Sequence, residues 1–201
     1  MPLINSHRIS PNSILGIWKI DESIDELKKL NRIEKFGLNE KINEKKFKES
    51  IASKMIIKKL CSIIKLDFHG IYKNPSGKPF LIKNKEFISI SHSYPYAVGL
   101  INNNKCGIDI EKIRKKILKV NTKFLKKSEI NRVGKSLIKN TIYWSSKEAL
   151  FKAYGGLNVN YINDISIIHS KDSNKLIGKI KDEKYLLSIK KIEDFIITYT
   201  N

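Results

Sequence analysis

The spacing of apolar residues divides this chain of 201 residues into short elements of two kinds. Residues 14–20 form an apolar run that includes Trp18 and predict a strand. From Asp21 to Lys29 the period changes: Asp21 can cap a helix, and Ile24, Leu27 and Leu30 recur at helical intervals. A longer helix is predicted from about Glu40 to Lys65. Its apolar stripe is Phe47, Ile51, Met55, Ile56, Leu60, Ile63 and Ile64, while Lys46, Ser50 and Lys54 share another face. Asn74-Pro75-Ser76-Gly77-Lys78-Pro79 is turn chemistry. Strands are predicted at 87–91, 96–101 and 106–111, with Asn102-Asn103-Asn104 as a turn between the last two. The second half predicts a helix around 118–124, another piece from Ser128, and a longer helix that stops at Gly155-Gly156. Strands follow around 164–169, 176–181, 185–191 and 196–199. This order predicts an α+β protein of two similar halves, 1–103 and 104–201. The likeness is one of element order, since no sequence repeat relates them.

Composition adds limits. The chain is long enough for one good-sized core or two small ones, and 41% hydrophobic residues is ordinary for a globular protein. No apolar run reaches the ~18–20 residues of a membrane span. The N-terminus, Met1-Pro2-Leu3-Ile4-Asn5-Ser6-His7-Arg8, lacks the charged-then-apolar pattern of a signal peptide. The expectation is a soluble, cytoplasmic protein without membrane contact. Cys61 and Cys106 fit neither a zinc motif nor a CxxC pair. Buried free thiols are expected, with a disulfide as the alternative. Charge is more telling: 39 basic minus 20 acidic residues leaves +19. Such a surface suits an anionic partner, whether nucleic acid, nucleotide phosphate or acidic protein. A composition rich in Lys, Ile and Asn together accounts for the same excess without function.

The chemistry concentrates in two segments. In Gly107-Ile108-Asp109-Ile110-Glu111, a strand places both acids on one face. In Trp144-Ser145-Ser146-Lys147-Glu148-Ala149-Leu150-Phe151-Lys152, a helix places Glu148 and Lys152 one turn apart. Each pair alone could be a solvated surface feature. Flanking Ile108, Ile110, Trp144, Leu150 and Phe151 argue for burial, where an acid costs free energy unless a cation compensates it. Three acids beside a lysine suit a hard divalent cation holding a phosphorylated substrate. In Ser89-Ile90-Ser91-His92-Ser93, a histidine leaves a strand end between hydroxyls, as a phosphate ligand or a structural residue. Gly77-Lys78-Pro79 presents a lysine on a tight turn. Neither a Walker loop nor a GxGxxG is present.

Taken in order, GKPF (residues 77–80), SISHS (89–93), GIDIE (107–111) and WSSKEALFK (144–152) resemble the 4'-phosphopantetheinyl transferase superfamily. Length and two-half layout resemble its monomeric, Sfp-like branch, not the short trimeric holo-carrier-protein synthases. The resemblance covers roughly residues 14–155. It implies two pseudo-symmetric α/β halves with the active site in the cleft between them. It implies transfer of the phosphopantetheine arm of coenzyme A to a serine of an apo acyl or peptidyl carrier protein, releasing adenosine 3',5'-bisphosphate. Asp109, Glu111 and Glu148 fall on the metal-binding acids, which normally hold Mg2+. Glu148 falls on the usual general base, and Lys152 on the lysine that contacts phosphate and protonates the leaving group. Lys78, Ser91 and His92 fall among coenzyme A contacts. Lys54 stands where arginine often meets the 3'-phosphate; lysine there keeps charge but loses bidentate geometry. The N-terminal half would then contact coenzyme A phosphates, and the C-terminal half would carry the metal site and the carrier dock. For that dock the sequence offers residues 117–133, where Phe124 and Leu125 lie among Lys119, Lys123, Lys126 and Lys127. A core-packed helix with solvated lysines explains the same residues. The rival reading is a non-enzymatic basic nucleic-acid-binding protein. It explains +19 but finds no helix-turn-helix, zinc or RNP signature.

Overall fold

Two antiparallel sheets and two long helices carry the described residues of the computed structural model, which are 3–11, 13–31, 43–156, 158–169 and 175–201. In chain order the elements are β1 (Leu3–Ser10), β2 (Ser13–Lys19), α1 (Ile24–Asn31), α2 (Glu44–Ile63), β3 (Ile71–Lys73), β4 (Pro79–Leu81), β5 (Phe87–Ser93), β6 (Tyr96–Asn102) and β7 (Ile108–Lys112). Then come α3 (Ile117–Val120), a 3-10 turn (Asn121–Lys123), α4 (Lys127–Val133), α5 (Leu137–Tyr154), β8 (Ile165–His169), β9 (Lys175–Ile180), β10 (Glu183–Ile192) and β11 (Phe195–Thr200). The first sheet has the order β1-β2-β6-β5-β4-β3 and the second β7-β11-β10-β9-β8. This is a mixed α+β architecture of two halves, as the element order predicted.

Continuous apolar runs, unlike alternating ones, fit strands covered on both faces. β2 and β6 are such strands, adjacent in the sheet and buried almost throughout. One face, with Ile14, Trp18, Ala97 and Ile101, packs under Ile51, Ile56 and Leu60 of α2. The opposite face, with Leu15, Ile17, Val98 and Leu100, meets Ile108, Ile110, Phe195 and Ile197 of the second sheet. On that sheet's far side, Ala149 and Leu150 of α5 pack with Ile165, Leu176 and Leu187. Helix, sheet, sheet and helix therefore form successive layers. Gly16 and Gly99 are cross-strand partners, and a Cβ on either would lie within 3.0 Å of a Leu60 or Ile56 side-chain atom. The missing side chains let α2 settle onto the sheet.

Several expectations shift. β1 was not foreseen, because the polar residues of Asn5 to Arg8 give it little apolar pattern; pairing with β2 supplies what the side chains do not. β3 and β4, three residues each, flank the predicted turn. α1 begins at Ile24 and is capped by Ser23, not Asp21. Ser23 Oγ accepts from the Glu26 N–H at 3.2 Å, and Glu26 Oε2 accepts from the Ser23 N–H at 2.8 Å. The predicted start of the long helix at Glu40 lies outside the described residues. The helix is seen from Glu44, with Asn43 Oδ1 accepting from the Lys45 N–H at 2.9 Å. Cys61 and Cys106 are buried free thiols. Among the described residues no helix is long and apolar enough to cross a membrane.

Candidate functional site

A close backbone approach builds the site. Gly107 leads into β7 directly against α5, where a Cβ would fall 1.8 Å from the Ala149 carbonyl oxygen. The next residues of β7 alternate. Ile108 and Ile110 enter the core between the sheets, and Asp109 and Glu111 take the other face, toward α5. Ser136 caps the start of α5, its hydroxyl accepting from the Lys139 N–H at 3.3 Å, and Gly155 ends it at φ 109°. Glu148 and Lys152 are therefore one turn apart on a helix held against the acid-bearing strand.

Asp109 is 3% exposed. Its Oδ1 accepts from Lys152 Nζ and from Ser91 Oγ, both at 2.8 Å. Its Oδ2 is buried with no hydrogen-bond partner among the described residues. Lys152 Nζ also donates to the Ile108 carbonyl at 3.1 Å. Glu111 Oε1 accepts from Trp144 Nε1 at 2.9 Å, and Glu148 Oε1 accepts from the Tyr161 hydroxyl at 2.8 Å. Burial pushes Glu111 up to about 7, and the charges of Asp109 and Glu148 push the same way. Burial and Asp109 likewise raise Glu148, against the opposing Tyr161 hydrogen bond and Lys152 charge. Burial, then Glu148, pushes the Tyr161 phenol upward, which keeps it a donor.

The raised Glu111 has a consequence for stability. Its folded-state value lies above the ordinary 4.5, so the folded chain holds this proton more tightly than the unfolded chain. Its stabilising contribution is complete below pH 4.5 and is lost as pH rises through about 7. In chelator, Glu111→Gln should flatten that decline. The gain over wild type should grow to roughly 3 kcal/mol by neutral pH, from about 1.4 kcal/mol per pKa unit. Urea unfolding of both proteins from pH 5 to 8 checks this; parallel curves would refute it.

Beside the acids opens a cavity of about 570 Å³ lined from both halves. Lys54 of α2, Lys73, Lys78 of the turn, His92 of β5 and Lys152 of α5 face it. Lys78 Nζ donates to the Ala153 carbonyl at 3.0 Å, tying the turn to α5. Burial lowers Lys78, and burial and then Lys73 lower Lys54. His92 Nδ1 lies 3.4 Å from Glu49 Oε2. Ser91 turns its hydroxyl to Asp109 and serves the acid directly. A second cavity of about 470 Å³ is lined by Glu111, Arg114, Lys116, Lys123, Trp144 and Tyr161, among others. Phe124 and Leu125, from the segment suggested as a dock, are themselves buried in the core.

Three participants were not singled out by sequence. Lys147 is fully buried, and its Nζ donates to Glu129 Oε2 and the Phe124 carbonyl at 2.8 Å, the Tyr161 carbonyl at 2.9 Å and the Ile165 carbonyl at 3.0 Å. Burial lowers this ammonium, against the pull of Glu129. Glu129 is the second, accepting also from the Lys126 and Ile167 N–H groups. The third, Tyr161, lies in a polar segment after α5. Only Lys147 carried a signal, a cation flanked by the hydrophobic residues of its helix.

Among the described residues no three His, Cys, Asp or Glu side chains already stand as a group able to hold a metal ion. The donors nevertheless fit one. Asp109, Glu111 and Glu148 each have one oxygen held by a protein donor and, among the described residues, a second without one. The Asp109 Oδ2 is moreover buried, a costly state for an unpartnered oxygen.

Comparison with known proteins places part of the chain beside a known family. A family profile described as the 4'-phosphopantetheinyl transferase superfamily matches residues 105–200, which include β7, α5 and all three acids. A curated protein of Aneurinibacillus migulanus, "4'-phosphopantetheinyl transferase gsp", is 30% identical over 122 residues, covering 57% of this chain and 51% of that protein. The chain thus matches about half the length of this curated relative. Over residues 105–200, which carry the strand-borne and helix-borne acids, the chain is thus similar to the 4'-phosphopantetheinyl transferase superfamily.

Proposed function

We propose that this protein transfers the 4'-phosphopantetheine arm of coenzyme A to a serine of an apo acyl or peptidyl carrier protein, releasing adenosine 3',5'-bisphosphate. The observation that carries the reading is the meeting of Asp109, Glu148 and Lys152 beside a cavity that four lysines and a histidine line. Lys54, Lys78 and His92 would bind the phosphates of coenzyme A there. The partial desolvation of Lys54 and Lys78 strengthens each charge toward a bound phosphate. Asp109, Glu111 and Glu148 would hold a divalent cation, Mg2+ by its preference for oxygen donors, and the ion would supply charge neutralisation for the pyrophosphate. Glu148, whose proton affinity is raised, accepts the serine proton. The serine oxygen forms a bond to phosphorus as the bond to the adenosine bisphosphate breaks. Lys152, held against Asp109 and the Ile108 carbonyl, places a proton and a positive charge near the leaving oxygen. Ser91 orients Asp109 through its hydroxyl, and so serves the cofactor site indirectly.

The second cavity would receive the carrier. Arg114, Lys116 and Lys123 give it positive charge, and Phe124 and Trp144 give it an apolar floor. The protein would act as a cytoplasmic monomer. The nucleic-acid reading explains the charge but leaves the buried Asp109 and the half-buried Glu111 and Glu148 unexplained. Mass spectrometry of an apo carrier mixed with protein, coenzyme A and Mg2+ tests the class. The expected result is a gain equal to the arm's mass that disappears without the divalent ion. An unmodified carrier across acyl and peptidyl types would refute the reading.

A further inference from the structure

We propose that Tyr161 is a positioning residue whose hydroxyl, donated to Glu148 Oε1 at 2.8 Å, holds that carboxylate in the orientation its proton-accepting role requires. The inference rests on the function proposed above and concerns a residue outside every motif that pointed to it.

Tyr161 is fixed at three levels. Its loop is pinned by side-chain turns: the Asn160 N–H donates to Asp164 Oδ2 at 2.8 Å, and the Ile162 and Asn163 N–H groups donate to Asn160 Oδ1 at 2.9 and 3.0 Å. Its carbonyl accepts from the buried ammonium of Lys147 at 2.9 Å. Its ring stacks on Trp144 with centroids 5.7 Å apart and leans on Phe151 at 5.3 Å. Successive residues of α5 therefore grip it from both ends, Lys147 at the main chain and Glu148 at the hydroxyl. A loop residue held this firmly presents its donor from one place.

A buried phenol needs an acceptor, and many backbone carbonyls could serve. Here it meets an acid of the site. A glutamate side chain has three torsions, and ordering them costs entropy that a preorganised donor offsets. With Oε1 engaged, Oε2 is the Glu148 oxygen without a protein donor among the described residues, and it meets cation and serine from one fixed place. Trp144 treats Glu111 in the same way through Nε1, so two stacked rings each hand one hydrogen bond to a different acid.

Tyr161→Phe removes one oxygen and keeps the stack. Transfer onto an apo carrier is measured for both proteins at varied coenzyme A, coenzyme A affinity by calorimetry, and unfolding by urea. Tyr161→Phe is expected to lower kcat by about tenfold or more, with coenzyme A affinity within about twofold of wild type and an unchanged urea midpoint. A kcat within about twofold of wild type would overturn the proposal. So would a loss of kcat matched by loss of affinity or by a lowered midpoint, which marks a merely structural tyrosine. Absence of transfer by the wild-type protein is a separate result: it removes the transferase reading, and this inference with it.

Discussion

Glu148→Gln should leave a folded protein that binds coenzyme A and transfers its arm at least about 100-fold more slowly. The amide has the same shape and can still accept the Tyr161 hydrogen bond, so the aromatic stack and α5 have no reason to move. What it loses is the charge and the capacity to take a proton, both of which burial and Asp109 have tuned in the carboxylate. Replacing a half-buried charge that lies near Asp109 by a neutral group also relieves repulsion. Stability should therefore stay level or rise slightly in the absence of a divalent ion. Initial rates of carrier modification, with circular dichroism and urea unfolding as controls, check both halves of this expectation. Turnover near that of wild type would exclude Glu148 as the base. The contrast with Asp109 is instructive. That acid has a lysine partner and a serine donor, so its removal would take from Lys152 its ion-pair partner, leaving it the Ile108 carbonyl, and would damage structure and chemistry together.

Gly107→Ala should be among the most destabilising single substitutions this chain can suffer, although it adds one methyl group. The new Cβ would sit 1.8 Å from the Ala149 carbonyl oxygen and 2.8 Å from the Ala153 nitrogen, both backbone atoms of α5. No side-chain rotamer relieves such a contact; strand and helix must part. The expected cost is about 3 kcal/mol or more, with transfer lost, since Glu148 and Lys152 ride on the displaced helix and Asp109 on the strand. Urea unfolding measures the first and the carrier assay the second. A variant with the wild-type midpoint would show that α5 does not lie against Gly107 as described. Gly107 carries no side chain to take part in any step, so the loss would be one of geometry alone.

The site was partly legible beforehand, and the division has a physical basis. Asp109 and Glu111 were readable because a strand's period of two puts them on one face whatever surrounds the strand. Glu148 and Lys152 were readable because a helix repeats near every fourth residue. Gly155-Gly156 announced the end of α5 by their tolerance of positive φ. Such signals are local, and local geometry is a property of residue type and spacing. By contrast, Ser91 stands among hydroxyls flanking a histidine, and nothing in that spacing says it will turn to Asp109 while Ser89 accepts from the Ile108 N–H. Both bonds depend on β5 lying beside β7, an adjacency between different sheets. β1 was missed because main-chain pairing makes it a strand. The cap of α1 was misplaced by two residues because Asp21 and Ser23 are both suitable caps, and the reciprocal bonds with Glu26 choose between them.

By itself, then, the order of residues determined the α+β class, the two halves, the faces on which the acids and lysines fall and the family likeness, all of which follow from periodicity and short motifs. The tertiary structure alone decided that Lys147 points inward to bind three carbonyls and Glu129, that Tyr161 reaches Glu148, and that lysines from both halves line one cavity. These are contacts between segments far apart in the chain. Their energies come from burial and from partners that desolvation makes obligatory, and no local spacing encodes which distant partner will be in reach.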